Sequence, residues 1–282
     1  MTTMGKELLI IHANCQGEPL AEFLGRIPAI AERYEIRLVI NYVRQPLPEK
    51  LLGSCSLFLH HYLAPTWKEL STEHVLSKLP PSARSLCFPS MFLNAYWPFW
   101  KPKAAWEYPD HLLDGLLDKG LPSKEIKRIY CHTNVVPAHD LREIVEESLE
   151  RERLKEQHTP IHHVDEVLAR YRQEMLFNTV NHPGHAMLCW LGRRILEELG
   201  LPEPEESVEA LMPELHPEYR QPVHPLVAEE LGLSFAGWET KYPVYGRELT
   251  FEEYVVEYLL ARANGIDEFI TFLRARAEQC EK

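Results

Sequence analysis

The chain has 282 residues, 45% of them hydrophobic and 26% charged, with a formal net charge of −12. That size and composition support a full buried core, as one large domain or two small ones, and the acidic balance argues against a broad nucleic-acid surface, which needs many phosphate-neutralising cations. No apolar run is long enough to span a membrane, and the start MTTMGKELLII has no cationic stretch ahead of a long apolar one, so a cytoplasmic protein is expected.

Strand and helix patterns alternate at first. Apolar runs at 8–11, 36–42, 57–59 and 86–88 read as short strands, and 20–34 and 67–79 carry helical periodicity. Pro28 should kink or end the first helix. The alternation implies an N-terminal parallel sheet flanked by helices, an α/β arrangement. Residues 89–109, PSMFLNAYWPFWKPKAAWEYP, are too irregular for a regular element and too aromatic for disorder, which marks a functional loop. From Pro137 onward the chain reads as mostly helical. Residues 140–155 form a charged amphipathic segment, and Thr159-Pro160 reads as an N-cap with proline in the first turn of a helix running to about Met175. Further helices are expected at 184–199, 250–261 and 266–278, with the Pro- and Glu-rich 201–225 as a connector. The expected division is an α/β domain at 1–136 followed by a helical region at 137–282, packed on it or continuous with it.

The first strand runs into His12-Ala13-Asn14-Cys15-Gln16-Gly17 and turns straight into an amphipathic helix. Such a turn sets a side chain at the carboxyl edge of a sheet and the amino end of a helix, where free N–H groups and the macrodipole favour an anion. Cys15 stands there. The position suggests a thiol that ionises more readily than a free one, although a small buried hydrophobe fits the same place. The six cysteines, Cys15, Cys55, Cys87, Cys131, Cys189 and Cys280, are scattered without a CxxC pair, so reduced thiols are expected.

Three other polar groups stand out. His60-His61-Tyr62 ends the third predicted strand, where an open α/β sheet places ligand contacts. Residues 177–185, FNTVNHPGH, break two helices; Asn181 as a cap and Pro183 in a first turn explain two of them but not His182 or His185. Cys131-His132-Thr133-Asn134 follows the apolar run 126–130. His158 and His162 are separated by Thr159-Pro160, and His182 and His185 by Pro183, so no metal site is expected.

Taken together, the NCQ turn, the segment FPSMFLNAYWP at 88–98 and the segment FNTVNHPGHAML at 177–188 resemble, in this order, the WcbI-type capsular polysaccharide biosynthesis proteins. The similarity runs from Leu8 to about Leu260. Two departures are Ala13, where the family usually has Gly, and Gly184, where a small hydroxyl residue is frequent. The resemblance implies a coenzyme A-binding acetyltransferase acting on a saccharide acceptor, with a topology like that of SGNH hydrolases. Cys15 would then be the nucleophile after the first strand, or the sugar hydroxyl would attack acetyl-CoA directly. His182 is the preferred base, with His185 and His132 in reserve. Asn14 and Gln16, with the backbone N–H groups of Gln16 and Gly17, would receive an oxyanion. Tyr96, Trp97 and Trp100 would offer an aromatic platform. Arg44, Lys101, Arg193 and Arg194 would meet phosphates, and His61, Asn181 and His185 would help line the cofactor site. Two other readings use the same residues: an SGNH-like esterase or deacetylase, and a non-catalytic coenzyme A-binding accessory protein.

Overall fold

Strand β1 (Glu7–Ala13) lies at the centre of the N-terminal part, because its run LLIIHA is buried on both faces. The computed structural model describes residues 5–101, 107–133 and 140–280. After β1 come α1 (Gly17–Arg26), α2 (Pro28–Ala31), β2 (Tyr34–Ile40), α3 (Glu49–Leu52), β3 (Cys55–His60), α4 (Thr72–Ser77) and β4 (Arg84–Cys87). Helices α5 (His111–Leu117), α6 (Ser123–His132), α7 (Leu141–Glu156) and α8 (Val164–Arg170) lead to the short strands β5 (Phe177–Thr179) and β6 (His182–Pro183). Then follow α9 (His185–Leu199), α10 (Val208–Leu211), α11 (Pro225–Leu231), the antiparallel pair β7 (Tyr242–Val244) and β8 (Arg247–Leu249), α12 (Phe251–Ala263) and α13 (Phe269–Cys280). The C-terminal half is therefore mostly helical, as expected.

Two compact units interleave along the chain. The first is drawn from Met1–Phe92, Glu150–Leu168 and Asn181–Leu215, the second from Leu93–Leu149, Ala169–Val180 and His216–Lys282. The expected division at 136/137 falls within 134–139, outside the described residues, as does Asn134.

In the first unit β1 to β4 form a parallel sheet in the order β2-β1-β3-β4, with Ile11 opposite Leu38 and Leu59. This is the doubly wound order, whose reversal opens a crevice at the carboxyl ends of β1 and β3. One face is covered by α1 through Leu20, Phe23 and Leu24, and against the other pack Leu52, Leu63, Leu70 and Val75 around Ile10 and Phe58. Gly17 allows α1 to start flush on the sheet. A Cβ there would lie 2.8 Å from Ala13 Cβ and 2.9 Å from Leu38 Cδ1. Gly192 plays the same part between α9 and α1, since a Cβ would come within 3.0 Å of Phe23 Cε1. Helix α1 ends at Arg26 because Ile27, preceding Pro28, is extended (φ −84°, ψ 114°).

Some elements differ from their sequence pattern. The periodicity over 67–79 covers a 3₁₀ turn at Pro65–Leu70 and the separate α4, divided at Lys68 (φ 55°, ψ −117°) and restarted by the Ser71 cap. Thr159 does not cap a helix. Its hydroxyl donates to the Cys87 carbonyl at 2.8 Å and accepts from Ile161 N–H, so α8 begins only at Val164 and stops at Arg170. Gly184, not Asn181, is the N-cap of α9, and Pro183 sits in β6. Helices α3, α5, α6 and α11 have no counterpart in the predicted elements.

In the second unit the aromatic segment is core. Tyr96 is fully enclosed, its hydroxyl donating to the carbonyls of Tyr171 (2.8 Å) and Glu174 (3.0 Å), and Trp97 Nε1 donates to those of Gln221 and Pro222. Helix α12 starts in a capping box formed by Thr250 and Glu253.

Candidate functional site at the carboxyl edge of the sheet

The turn after β1 is closed by backbone bonds from Gly17 N–H to Asn14 O (2.9 Å) and from Glu18 N–H to Cys15 O (3.1 Å). Asn14 Oδ1 accepts from Gln16 N–H at 2.9 Å, and its Nδ2 donates to Ser90 Oγ at 3.2 Å. Gln16 is fully buried. Its Nε2 donates to the carbonyls of Met91 and Asn181, both at 2.9 Å, and its Oε1 accepts from Met91 N–H at 3.1 Å. These bonds revise the expected oxyanion set: the N–H groups of Gln16 and Gly17 and the Gln16 amide are already used in holding the turn. Asn14 Nδ2, which carries two protons, keeps one beyond Ser90.

Cys15 is half-buried in this turn. Burial, reinforced by the Glu18 carboxylate, raises its pKa to about 11, although the N–H groups of Cys15 and Gln16 act in the opposite sense. The expectation of a readily ionised thiol is thereby overturned, because desolvation outweighs the helix start. Tyr42, beyond β2, is 53% exposed and lies near enough that the charges of Cys15 and Glu18 push its hydroxyl pKa up, behind the larger effect of burial. Arg44 follows in a left-handed conformation (φ 58°), its guanidinium 4.7 Å from the centre of the Trp67 ring.

The carboxyl ends of β1 and β3 carry three histidines, His12, His60 and His61. His61 N–H donates to His12 O at 3.0 Å, and His61 Nδ1 accepts from Asn14 N–H at 3.4 Å. His60 Nδ1 donates to His61 O at 3.1 Å. All three imidazoles are buried. Desolvation, with mutual repulsion, lowers His61 to about 3 and His12 to about 4, and burial depresses His60 as well. They are neutral at pH 7. Both His61 and Asn14 therefore belong to one bonded corner, whereas Tyr62 points out and stacks on His158 at 3.5 Å.

Residues 90–92, which hold Asn14 and Gln16, are themselves tied to α7. Phe92 N–H donates to Glu152 Oε2 (3.1 Å), and Lys155 Nζ donates to Glu152 Oε1 (2.5 Å) and to Ser90 O (3.4 Å). Buried His163 stands 3.3 Å from both Glu152 and Glu156. Ser90, Glu152, Lys155, Tyr42 and Glu18 were not singled out by sequence reasoning. Of these only Tyr42, at the end of a predicted strand, carried a local signal.

The other expected site residues have the following places. His182 follows Asn181, whose carbonyl Gln16 binds. His185 Nε2 meets Met212 O at 3.0 Å and Cys189 Sγ at 3.6 Å. Arg193 is paired with Glu209 (2.5 Å) and Glu203 (3.3 Å), and Arg194 with Glu197. Lys101, Tyr96, Trp97 and Trp100 belong to the second unit, where Tyr96 and Trp97 are buried. The five cysteines with described side chains are free. Among the described residues no group of three or more His, Cys, Asp or Glu side chains is placed to hold a metal, and no helix is long and apolar enough to cross a membrane.

The family model for the polysaccharide biosynthesis enzyme WcbI matches residues 8–204. The chain belongs to the WcbI family. The match begins at Leu8, as does the resemblance read from the sequence, and ends short of Leu260. It covers the NCQ turn, the 88–98 segment and the 177–188 segment. No curated protein matches the chain. A solved structure described as WcbI, a novel polysaccharide biosynthesis enzyme, matches with a TM-score of 0.76 over 97% of this chain and 95% of its own, at 18% identity. Its description specifies the native protein without a disulfide bond between coenzyme A and one of that protein's cysteines. At this identity the likeness shows the fold alone.

Proposed function

We propose that the chain is an acetyl-CoA-dependent O-acetyltransferase acting on a sugar hydroxyl of a surface or capsular polysaccharide, with the Cys15 turn as the site of the thioester. The observation that carries the reading is the corner itself. A thiol at the start of α1 stands at the crevice between β1 and β3, where doubly wound sheets bind their ligands, in a family of polysaccharide biosynthesis enzymes. The solved WcbI structure is described as lacking a disulfide bond between coenzyme A and one of that protein's cysteines; that such a bond is named at all supports Cys15 as the contact for the coenzyme's sulfur.

The residues fit such a ligand. Exposed Tyr42 offers a ring beside Cys15, and Arg44, exposed and supported by Trp67, offers a phosphate a fixed cation. Acetyl-CoA supplies the activated acyl group. In our reading His182 takes the proton of the attacking hydroxyl as the new C–O bond forms, the free Nδ2–H of Asn14 donates a hydrogen bond to the developing oxyanion, and as the C–S bond breaks His182 gives the proton it took to the departing coenzyme A sulfur. Gln16 acts by holding the turn. A Cys15 pKa of about 11 favours this direct attack over an acetyl-Cys15 intermediate. It makes Cys15 a contact and not the nucleophile.

The test is release of free coenzyme A thiol from acetyl-CoA with and without polysaccharide purified from the host's surface, with mass analysis of the acceptor. Acceptor-dependent release and an added acetyl group are expected, and His182→Ala should cut turnover by about 10²–10⁴-fold with coenzyme A affinity within a few-fold. Release that ignores the acceptor would make the protein a hydrolase. Tight coenzyme A binding without turnover would make it an accessory protein.

A further inference from the structure

In the second unit a groove of about 680 Å³ opens between Trp238 and the flank of α12. Its size lies within the range of about 300–1,000 Å³ typical of small-ligand sites. Trp238 follows Gly237 in a turn closed by Thr240 N–H on Gly237 O at 3.2 Å, and 37% of the residue remains in solvent. His132, the last residue of α6, stacks on the indole with ring centres 5.5 Å apart. A flat aromatic surface is thus held open by a turn and a neighbouring ring. Its apolar face suits the C–H face of a pyranose, which carries the positive side of its bond dipoles toward the π cloud.

Charge decides what kind of ligand this surface takes. The groove is lined by four carboxylates, Glu239, Glu252, Glu253 and Glu257, against the two fixed cations Lys127 and Arg247. Both cations are spoken for: Lys127 pairs with Glu252 at 2.9 Å and Arg247 with Glu257 at 2.6 Å. The start of α12 is closed to anions as well, because Glu253 occupies its capping box and Glu252 its first turn. Phosphates and uronates are repelled. Carboxylates locked in ion pairs keep lone pairs for hydroxyl donors without losing side-chain freedom on binding. Glu252 is fixed in this way by Lys127 and by His132 at 3.1 Å.

We propose that this groove is a saccharide-binding subsite for a neutral or amino-sugar stretch of polysaccharide, with Trp238 as the stacking platform and Glu239 and Glu252 as hydroxyl acceptors. It names a holding site for the acceptor chain and rests on the proposed function for the source of that ligand. The binding itself is independent of Cys15 chemistry.

The experiment is calorimetric titration of the full chain with maltotetraose, chitotetraose and a galacturonate tetramer, alongside coenzyme A. At least one of the first two should bind in the millimolar range, and Trp238→Ala should weaken it about tenfold or more, with Trp238→Phe recovering part of the loss. Coenzyme A affinity and melting temperature should match wild type in both variants. The inference is overturned if neither uncharged probe binds below about 10 mM, if Trp238→Ala binds like wild type, or if galacturonate binds as well as the others. Saccharide binding without coenzyme A binding would refute the proposed function and leave the groove standing. Coenzyme A-dependent turnover without saccharide binding in the groove would do the reverse.

Discussion

Replacing Gln16 with alanine should unfasten the site corner from beneath. The side chain makes three hydrogen bonds, to Met91 O, Met91 N–H and Asn181 O, and is 0% exposed. Each such bond is worth about 1 kcal/mol net, and a buried group left unpaired costs about 1–3 kcal/mol. Three orphaned backbone groups and the small cavity then sum to about 3–6 kcal/mol, a large part of an ordinary domain's stability of about 5–15 kcal/mol. With a urea dependence of about 2 kcal/mol per molar, the unfolding midpoint should fall by about 1.5–3 M. Gln16→Glu should be as damaging at neutral pH, because a carboxylate faces two carbonyl oxygens that need donors, and part of the loss should be recovered in acid as the carboxyl gains a proton to donate. Urea titration of the three proteins checks this. A loss below about 1 kcal/mol in Gln16→Ala would refute the idea that this amide ties the β1–α1 turn to residues 91 and 181.

Gly17→Ala should cost about 1–3 kcal/mol by overpacking, and Ala13→Gly in the same chain should restore part of it, since the Ala13 Cβ contact at 2.8 Å is removed while Leu38 stays at 2.9 Å; urea midpoints of the single and double variants check the pair. Acid should destabilise the protein through His12 and His61. Above about pH 6.5 both are neutral folded or unfolded, but below it the unfolded chain takes protons that the folded protein refuses until about pH 4 and pH 3 respectively. Each therefore removes about 2 kcal/mol between pH 7 and pH 5. His61→Asn keeps an acceptor for Asn14 N–H and should flatten that slope in unfolding titrations across the range.

The sheet was legible because its strands are apolar runs bounded by turn residues, and the corner was legible because Asn14, Cys15 and Gln16 occupy the one place where a parallel strand meets a helix. The kink at Lys68 was not, since the periodicity of 67–79 runs straight through it. Thr159-Pro160 has the composition of a helix start, yet the Thr159 hydroxyl is drawn to the Cys87 carbonyl by tertiary contact. The 88–98 segment was correctly irregular. That Tyr96 and Trp97 are core and not platform depends on carbonyls at 171, 174, 221 and 222, which no local pattern reveals. The same separation hides Ser90, Glu152 and Lys155. Cys15 shows the limit most plainly: its position in sequence argues for an acidic thiol, and only the burial around it reverses the sign.

The central claim, that the sulfur end of coenzyme A meets Cys15, is tested most directly by disulfide capture. The protein is mixed with oxidised coenzyme A at mildly alkaline pH, and the adduct is mapped by mass spectrometry of its peptides. The account predicts one coenzyme A adduct, on the peptide carrying Cys15, prevented by prior addition of acetyl-CoA and absent from Cys15→Ala. An adduct on Cys55, Cys87, Cys131, Cys189 or Cys280 in place of Cys15, or none at all, would contradict it.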